Sequence, residues 1–144
     1  MTGMLSDIKV IDLTTFLSGP FCTMILSDMG AEVLKIEAPP KGCATRQTPP
    51  FIEGQSAYFM SLNRGKKAIT LNLKSERGKK VFLRLVAAAD VLVENFRPGV
   101  MDRLGFAYEA LSGINPRLVY ASISGFGNTG PFREKGAYDM VIQG

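Results

Sequence analysis

The densest set of chemistry-bearing residues lies in the stretch VLVENFRPGVMDRLGF, residues 91–106. An amide (Asn95), an aromatic ring (Phe96) and two guanidiniums (Arg97, Arg103) sit close together there. Guanidiniums grip phosphate oxygens and an aromatic face accepts a base ring, so this set suits an anionic, nucleotide-like ligand. The alternative is a connecting loop whose arginines stand in water. Leu71-Asn72-Leu73-Lys74 poses a similar choice: Lys74 is either a point charge for a phosphate or a solvated strand end. Tyr138-Asp139 follows Gly136 and Ala137, and an Asp in such a loop is a candidate nucleophile or base. The simpler reading, adopted here, makes Asp139 the N-cap of a helix beginning at Met140. The chain contains no histidine. That excludes His general bases, Ser-His-Asp and Cys-His nucleophiles and His-bearing zinc sites, and leaves acid–base work to carboxylates, Tyr, Lys or Cys. Cys22 and Cys43 stand alone, without metal-ligand spacing or a disulfide framework, and Cys22 reads as a small hydrophobe on a helix.

For these residues to converge, the elements between them must alternate strand and helix. Residues 91–93 form an apolar, β-branched run typical of a buried parallel strand. Glu94-Asn95 ends it, Pro98-Gly99 turns the chain, and Val100, Met101 and Leu104 resume helical spacing up to Gly105. Asn95, Phe96, Arg97 and Arg103 therefore cluster at a strand's carboxyl end, where open α/β sheets bind ligands. Upstream, residues 8–13 predict a strand, Pro20 the first position of a helix that Gly30 closes, and residues 31–37 a second, parallel strand. Residues 38–55, rich in Pro and Gly, predict a long irregular excursion. A short helix over 56–62 and a strand over 68–73 follow. Ser75 then caps a helix over 76–89 with Val81, Phe82, Leu85, Val86 and Ala89 inward. A helix over 108–114 and a strand over 118–124 complete about four β-α repeats. The fold class is α/β, a Rossmann-like parallel sheet with flanking helices. Gly125-Phe126-Gly127-Asn128-Thr129-Gly130 matches G-x-G-x-x-G in form, but it follows a late strand and no amphipathic helix opens after it. A nicotinamide dinucleotide is therefore excluded, and the glycines read as a turn or lid.

A chain of 144 residues, 46% of them hydrophobic, can bury one core. The net charge of +4 comes without a Lys/Arg block of nucleic-acid type. No apolar run reaches the ~18 residues of a membrane span. The N-terminus lacks a signal-peptide pattern, and together with the isolated cysteines this predicts a cytoplasmic setting.

ENFRPGxMDRLGF also resembles a signature of the family III coenzyme A transferases (CaiB/BaiF type). The likeness runs from Ile8 to Gln143 through IDLTTFLSGPFCTMILSDMGAEVLKIE, SLNRGKKAITLNLK and SISGFGNTGP. It implies that residues 1–144 are the N-terminal CoA-binding portion of a larger, interlocked homodimeric fold. It implies contacts to CoA, a substrate and not a resident cofactor, from Leu17 and Ser18, from Leu71, Asn72, Leu73 and Lys74, and from Asn95, Phe96, Arg97 and Arg103. Gly136, Ala137, Tyr138 and Asp139 complete the set. The implied reaction moves CoA from an acyl-CoA to a carboxylic acid through a mixed anhydride on an Asp. That Asp belongs to a GD-x-x-x-G segment beyond these residues, so the 144 residues alone should be inactive and end in an exposed apolar helix. Two departures stand out: Ala38 replaces an Arg that sandwiches adenine in some relatives, and Leu17 replaces the Gln of formyl-CoA transferase. Tyr138, where racemase-type members have His, favours a transferase over an α-methylacyl-CoA racemase. A non-enzymatic nucleotide-binding module is the rival outside the enzymes.

Overall fold

In the computed structural model, which describes residues 3–144, five parallel strands form one sheet. The chain runs through β1 (Lys9–Asp12), α1 (Ser18–Asp28), β2 (Glu32–Glu37), a 3-10 turn (Ala44–Gln47), β3 (Phe51–Ile52), β4 (Gln55–Ser56) and α2 (Ala57–Asn63). It continues through β5 (Lys67–Thr70), α3 (Glu76–Ala87), β6 (Val91–Glu94), α4 (Val100–Leu104), α5 (Tyr108–Ile114), β7 (Val119–Ser122) and α6 (Asp139–Gln143). The strand order is β5-β2-β1-β6-β7, with β3 and β4 a separate hairpin. The chain winds outward from β1 to β2 and β5, returns to lay β6 against β1, and ends the sheet with β7. The winding direction thus reverses between β1 and β6, the switch point where such sheets open a ligand crevice.

Both faces of the central strands are covered, so alternate residues on β1 and β6 feed different cores. Ile11 and Leu92 join Ile36, Phe82, Val86, Met101, Phe106 and Leu111 on one face. Val10 and Val93 join Ala31 and Val33 on the other, with Leu26 of α1 packed against them. Phe82 and Phe106 meet at 4.4 Å between ring centroids and anchor α3 to the segment after α4. Ser75 caps α3 by accepting the Gly78 N–H at 3.0 Å, as the sequence predicts, and Ser56 caps α2 in the same way through the Phe59 N–H.

Several expectations need correction. Residues 38–55 carry a 3-10 turn and a two-stranded hairpin, not a wholly irregular path. α1 begins at Ser18, which makes Pro20 its third residue, still inside the first turn where a missing N–H costs no helical bond. β5 stops at Thr70 because Asn72 accepts the Lys74 N–H at 3.0 Å, a side-chain turn that pulls the chain out of the sheet. Val81 is 37% exposed: the inner stripe of α3 is carried by Phe82 and Val86, and Val81 lies about 100° around the helix from Phe82. Asp139 is not a cap. Tyr138 takes the N-cap position without a side-chain bond, and the Asp139 carboxylate accepts the Gln143 Nε2–H at 2.8 Å along the surface of α6. Its negative charge still suits the helix start.

Candidate ligand cleft at the strand ends

At the carboxyl end of β1 the chain turns into α1, and this turn is tied down from several sides. Asp12 is fully buried. Its Oδ1 accepts the Thr14 N–H at 2.8 Å and the Thr14 hydroxyl at 2.5 Å, the geometry of an Asp-led turn. Its Oδ2 accepts the Thr23 hydroxyl at 2.7 Å and Lys66 Nζ at 3.0 Å, which ties α1 and the end of α2 to the sheet. Lys35 Nζ donates to the Thr14 carbonyl at 2.7 Å and lies 3.6 Å from Asp12 Oδ1. Burial alone pushes the Asp12 carboxyl up, but Lys35, Lys66 and the two hydroxyls outweigh it and hold the group below the usual carboxylate range. Burial also pulls the Lys66 ammonium down, against the opposing pull of Asp12. A Cβ on Gly19 would collide with the Thr14 side chain, so only glycine lets α1 approach this closely.

From the far side of the switch point, Asn95 reaches the same turn. Its Oδ1 accepts the Thr15 N–H at 2.9 Å and its Nδ2 donates to the Thr15 carbonyl at 2.8 Å. Phe16, next in the chain, holds φ at +62°, the left-handed region that a side chain disfavours.

Beside this turn, a cleft of ≈ 560 Å³ opens across the ends of β1, β2, β5 and β6. Leu13, Thr14 and Thr15 form one wall, Leu71, Asn72, Leu73 and Lys74 another, and Phe96, Val100 and Leu104 a third. Ala38 lies at its edge. The rim is held by Glu37, whose Oε2 accepts the Cys43 N–H and Arg46 Nε at 2.7 Å each. A second Arg46 bond to Oε1 at 2.6 Å makes the pair bidentate, and the guanidinium lies 3.9 Å from the centroid of the Phe59 ring. Burial would raise the Glu37 carboxyl, yet Arg46 and the Cys43 N–H bring it below its ordinary value.

The predicted site residues divide between this cleft and three neighbouring places. Arg97 and Arg103 line a separate cavity of ≈ 460 Å³, with Glu94, Asp102, Tyr108 and Tyr120. Asn95 faces Thr15, with Ser18 Oγ 3.5 Å from its Nδ2. Leu17 and Ser18 start α1, with Leu17 about half exposed. The 136–139 segment returns over the β1–α1 turn: Tyr138 stacks edge-on to Phe16 at 6.1 Å, and Gly136 lies beside the Arg97 guanidinium. The glycines at 125–130 lead into a turn and not a helix. The sequence reading missed the buried polar residues Asp12, Thr23, Lys35, Glu37 and Lys66, and the Arg46 that pairs with Glu37. Only Asp12-Leu13-Thr14 carried a local signal, an Asp two residues before a hydroxyl at a strand end.

Of the three buried carboxylates at these strand ends, Asp12 and Glu37 are ion-paired and hydrogen-bonded, while Glu94 accepts the Phe96 N–H at 2.8 Å. The cleft walls are mostly apolar, with Lys74 at one of them, and Arg97 and Arg103 stand in the neighbouring cavity. Among the described residues no group of His, Cys, Asp or Glu side chains is placed to hold a metal ion, and no helix is long and apolar enough to cross a membrane.

The family model described as CoA-transferase family III matches residues 5–144. The chain is 57% identical over 141 residues to the acetyl-CoA:oxalate CoA-transferase of Acetobacter aceti, covering 98% of this chain and 36% of that protein. It is 46% identical to the human succinyl-CoA:glutarate CoA-transferase, covering 95% of this chain and 32% of that one. A CAIB/BAIF family protein from Brucella suis superposes with a TM-score of 0.93 at 44% identity, over 99% of this chain and 39% of that structure. The chain thus spans about a third of the length of these relatives.

Proposed function

The chain belongs to CoA-transferase family III, and we propose that it forms the CoA-binding portion of an enzyme that moves CoA from an acyl-CoA to a carboxylate acceptor. The observation that carries this reading is the family match across residues 5–144 coinciding with a mostly apolar cleft, with Lys74 on its wall, at the switch point. The CoA adenosine end would lie against Leu71, Asn72, Leu73, Lys74 and Phe96. Arg97 and Arg103 would take phosphate oxygens across the β6–α4 turn. Leu17, Ser18 and the 136–139 segment would line the path of the pantetheine arm. Ala38 leaves the adenine without an arginine lid, so the apolar wall from Leu71 to Leu73 would carry more of the ring's contact. Both named relatives act on dicarboxylates, oxalate and glutarate, and a short dicarboxylate is the acceptor we favour. The relatives are transferases by name, so neither the racemase nor the non-enzymatic reading is carried forward.

The chemistry would begin with a carboxylate attacking the thioester carbonyl and expelling CoA thiolate, leaving an acyl-aspartyl anhydride. Asp12 and Glu37 are paired with cations and walled off, and Asp139 sits exposed at the start of α6. In keeping with the family resemblance, the nucleophile is assigned to an Asp outside these 144 residues, acting within an interlocked homodimer. The first test is binding. A charge-assisted hydrogen bond contributes about 1.5–3 kcal/mol, so Arg103→Ala should weaken CoA affinity about tenfold or more. An unchanged affinity by calorimetric titration overturns the role given to Arg103. Acyl transfer to oxalate or glutarate that residues 1–144 perform alone, and that Asp139→Ala abolishes, overturns the placement of the nucleophile.

A further inference from the structure

Asn95 has a geometry that ligand binding does not require. Both hydrogen-bonding ends of its amide are engaged by one backbone residue, Thr15, at 2.9 and 2.8 Å, across 80 positions of sequence. The pairing imitates one rung of a β-ladder and joins the end of β6 to the turn after β1, where the sheet itself has no further rung to offer. Thr15 is flanked on one side by Thr14, already held by Asp12 and Lys35, and on the other by Phe16 at φ +62°. A non-glycine residue stays in that conformation only where its surroundings impose it. Among the described residues, the Asn95 amide is the one side chain from another element that bonds the backbone of the residue immediately before Phe16.

We propose that Asn95 is a positioning residue. It pins the β1–α1 turn in its strained form, and so fixes the distance between the wall formed by Thr14 and Thr15 and the wall formed by Phe96. Without the pin, Phe16 relaxes to negative φ, its edge contact with Tyr138 is lost, and Leu17 and Ser18 shift with the start of α1. The inference rests on the CoA reading of the cleft for its consequence, but not for its mechanism.

The experiment has one arm that needs no ligand and one that does. In the first, amide hydrogen exchange is followed at Thr15 and at Leu13, whose N–H is bonded to the Val93 carbonyl and not to Asn95. Asn95→Ala should speed exchange at Thr15 about tenfold or more and leave Leu13 unchanged. In the second, CoA is titrated into the parent protein, Asn95→Ala, Phe16→Gly and the double variant. Asn95→Ala should weaken binding about tenfold, and Phe16→Gly should recover most of that loss, because glycine accepts positive φ without help. Protection at Thr15 that survives Asn95→Ala overturns the proposal. So does a loss of affinity on Asn95→Ala that is equal in the parent and in the Phe16→Gly variant, which would make Asn95 a direct ligand contact. Should Asn95→Ala fail to fold, Asn95→Leu keeps the volume and removes both hydrogen-bonding ends; it should show the same pattern, and Thr15 protection equal to the parent overturns the proposal. If the parent protein does not bind CoA, the ligand reading falls and the exchange arm still decides the pin.

Discussion

Two strand ends of the same sheet, those of β1 and β7, are built in opposite ways. After β1, the backbone of residues 14–15 is bonded by side chains from three places: Asp12 on its own strand, Lys35 on β2 and Asn95 after β6. After β7, the path from residue 125 to 138 is held by short-range turns such as Lys135 N–H to the Phe132 carbonyl at 2.8 Å, and among the described residues no side-chain hydrogen bond reaches it from another element. Central position explains much of this. β1 has neighbours on both sides, so β2 and β6 can each send a polar side chain across its end, whereas β7 is an edge strand with β6 alone beside it. A strand end becomes a rigid wall when its neighbours' side chains replace the missing ladder bonds. A strand end without them stays a surface loop.

The largest effect expected from breaking that contrast is at Asp12. One carboxylate neutralises two lysines whose side chains are each 1% exposed. Removing one partner of a buried ion pair costs about 3–5 kcal/mol, because the orphaned charge stays desolvated. Asp12→Asn should lower unfolding stability by that amount in denaturant titration. Adding Lys66→Met, which removes one of the two orphaned ammoniums, should recover part of the loss. An Asp12→Asn protein within about 1 kcal/mol of the parent would show that the network is wetter than its burial indicates.

Elements that depend on local pattern were legible in the sequence. The apolar runs became β1, β2, β6 and β7, Ser75 capped α3, Tyr108–Ile114 formed α5, and the glycines at 125–130 made a turn instead of a dinucleotide helix. The polar interior was not legible. Lys35 reads as the outward residue of an alternating strand, and Lys66 as half of a surface Lys-Lys pair. Burial on both faces of a central parallel strand puts Lys35 inside, and the end of α2 delivers Lys66 to Asp12 from a distance of 54 residues. Of the candidate site, Leu71, Asn72, Leu73, Lys74 and Phe96 meet in one cleft, but the separation of Arg97 and Arg103 into another cavity depends on which way the β6–α4 turn rolls. The partner of Asn95 lies 80 positions away, and no spacing rule reaches that far.

A smaller effect separates the two strand ends by pH. Asp12 and Glu37 both ionise below their ordinary values of 3.8 and 4.5. As pH falls through those values the unfolded chain takes up protons first, so the folded state loses the stability these carboxylates contribute; above them the contribution is complete. Unfolding free energy should therefore be flat with respect to these two groups near neutrality and fall below about pH 4.5. Glu37→Gln should shallow that fall, and it should also free the residues around Cys43, seen as faster amide exchange there. A slope unchanged by Glu37→Gln would mean that the Arg46 pair is screened by water.

The smallest effect is expected at the other pole of the comparison, in α6. Ile142 is 65% exposed and the helix has only five residues, too few to be stable by their own hydrogen bonding. Ile11, by contrast, is 2% exposed between two parallel neighbours and packs into the larger core. Ile11→Ala should cost about 2–5 kcal/mol, the range for truncating a buried aliphatic side chain. Ile142→Ala should stay within about 0.5 kcal/mol of the parent, since almost no apolar surface leaves a packed environment. The two substitutions remove the same atoms, so any difference in chemical denaturation reports the surroundings and not the side chain. With Met140 at 82% and Val141 at 49% exposure, α6 presents three adjacent apolar side chains to solvent. Ile142→Ala should therefore reduce self-association, measured by light scattering, even where it leaves stability untouched. A loss of more than about 1 kcal/mol on Ile142→Ala would show that α6 is packed against a surface of its own in solution, and the contrast between the two strand ends would have to be redrawn.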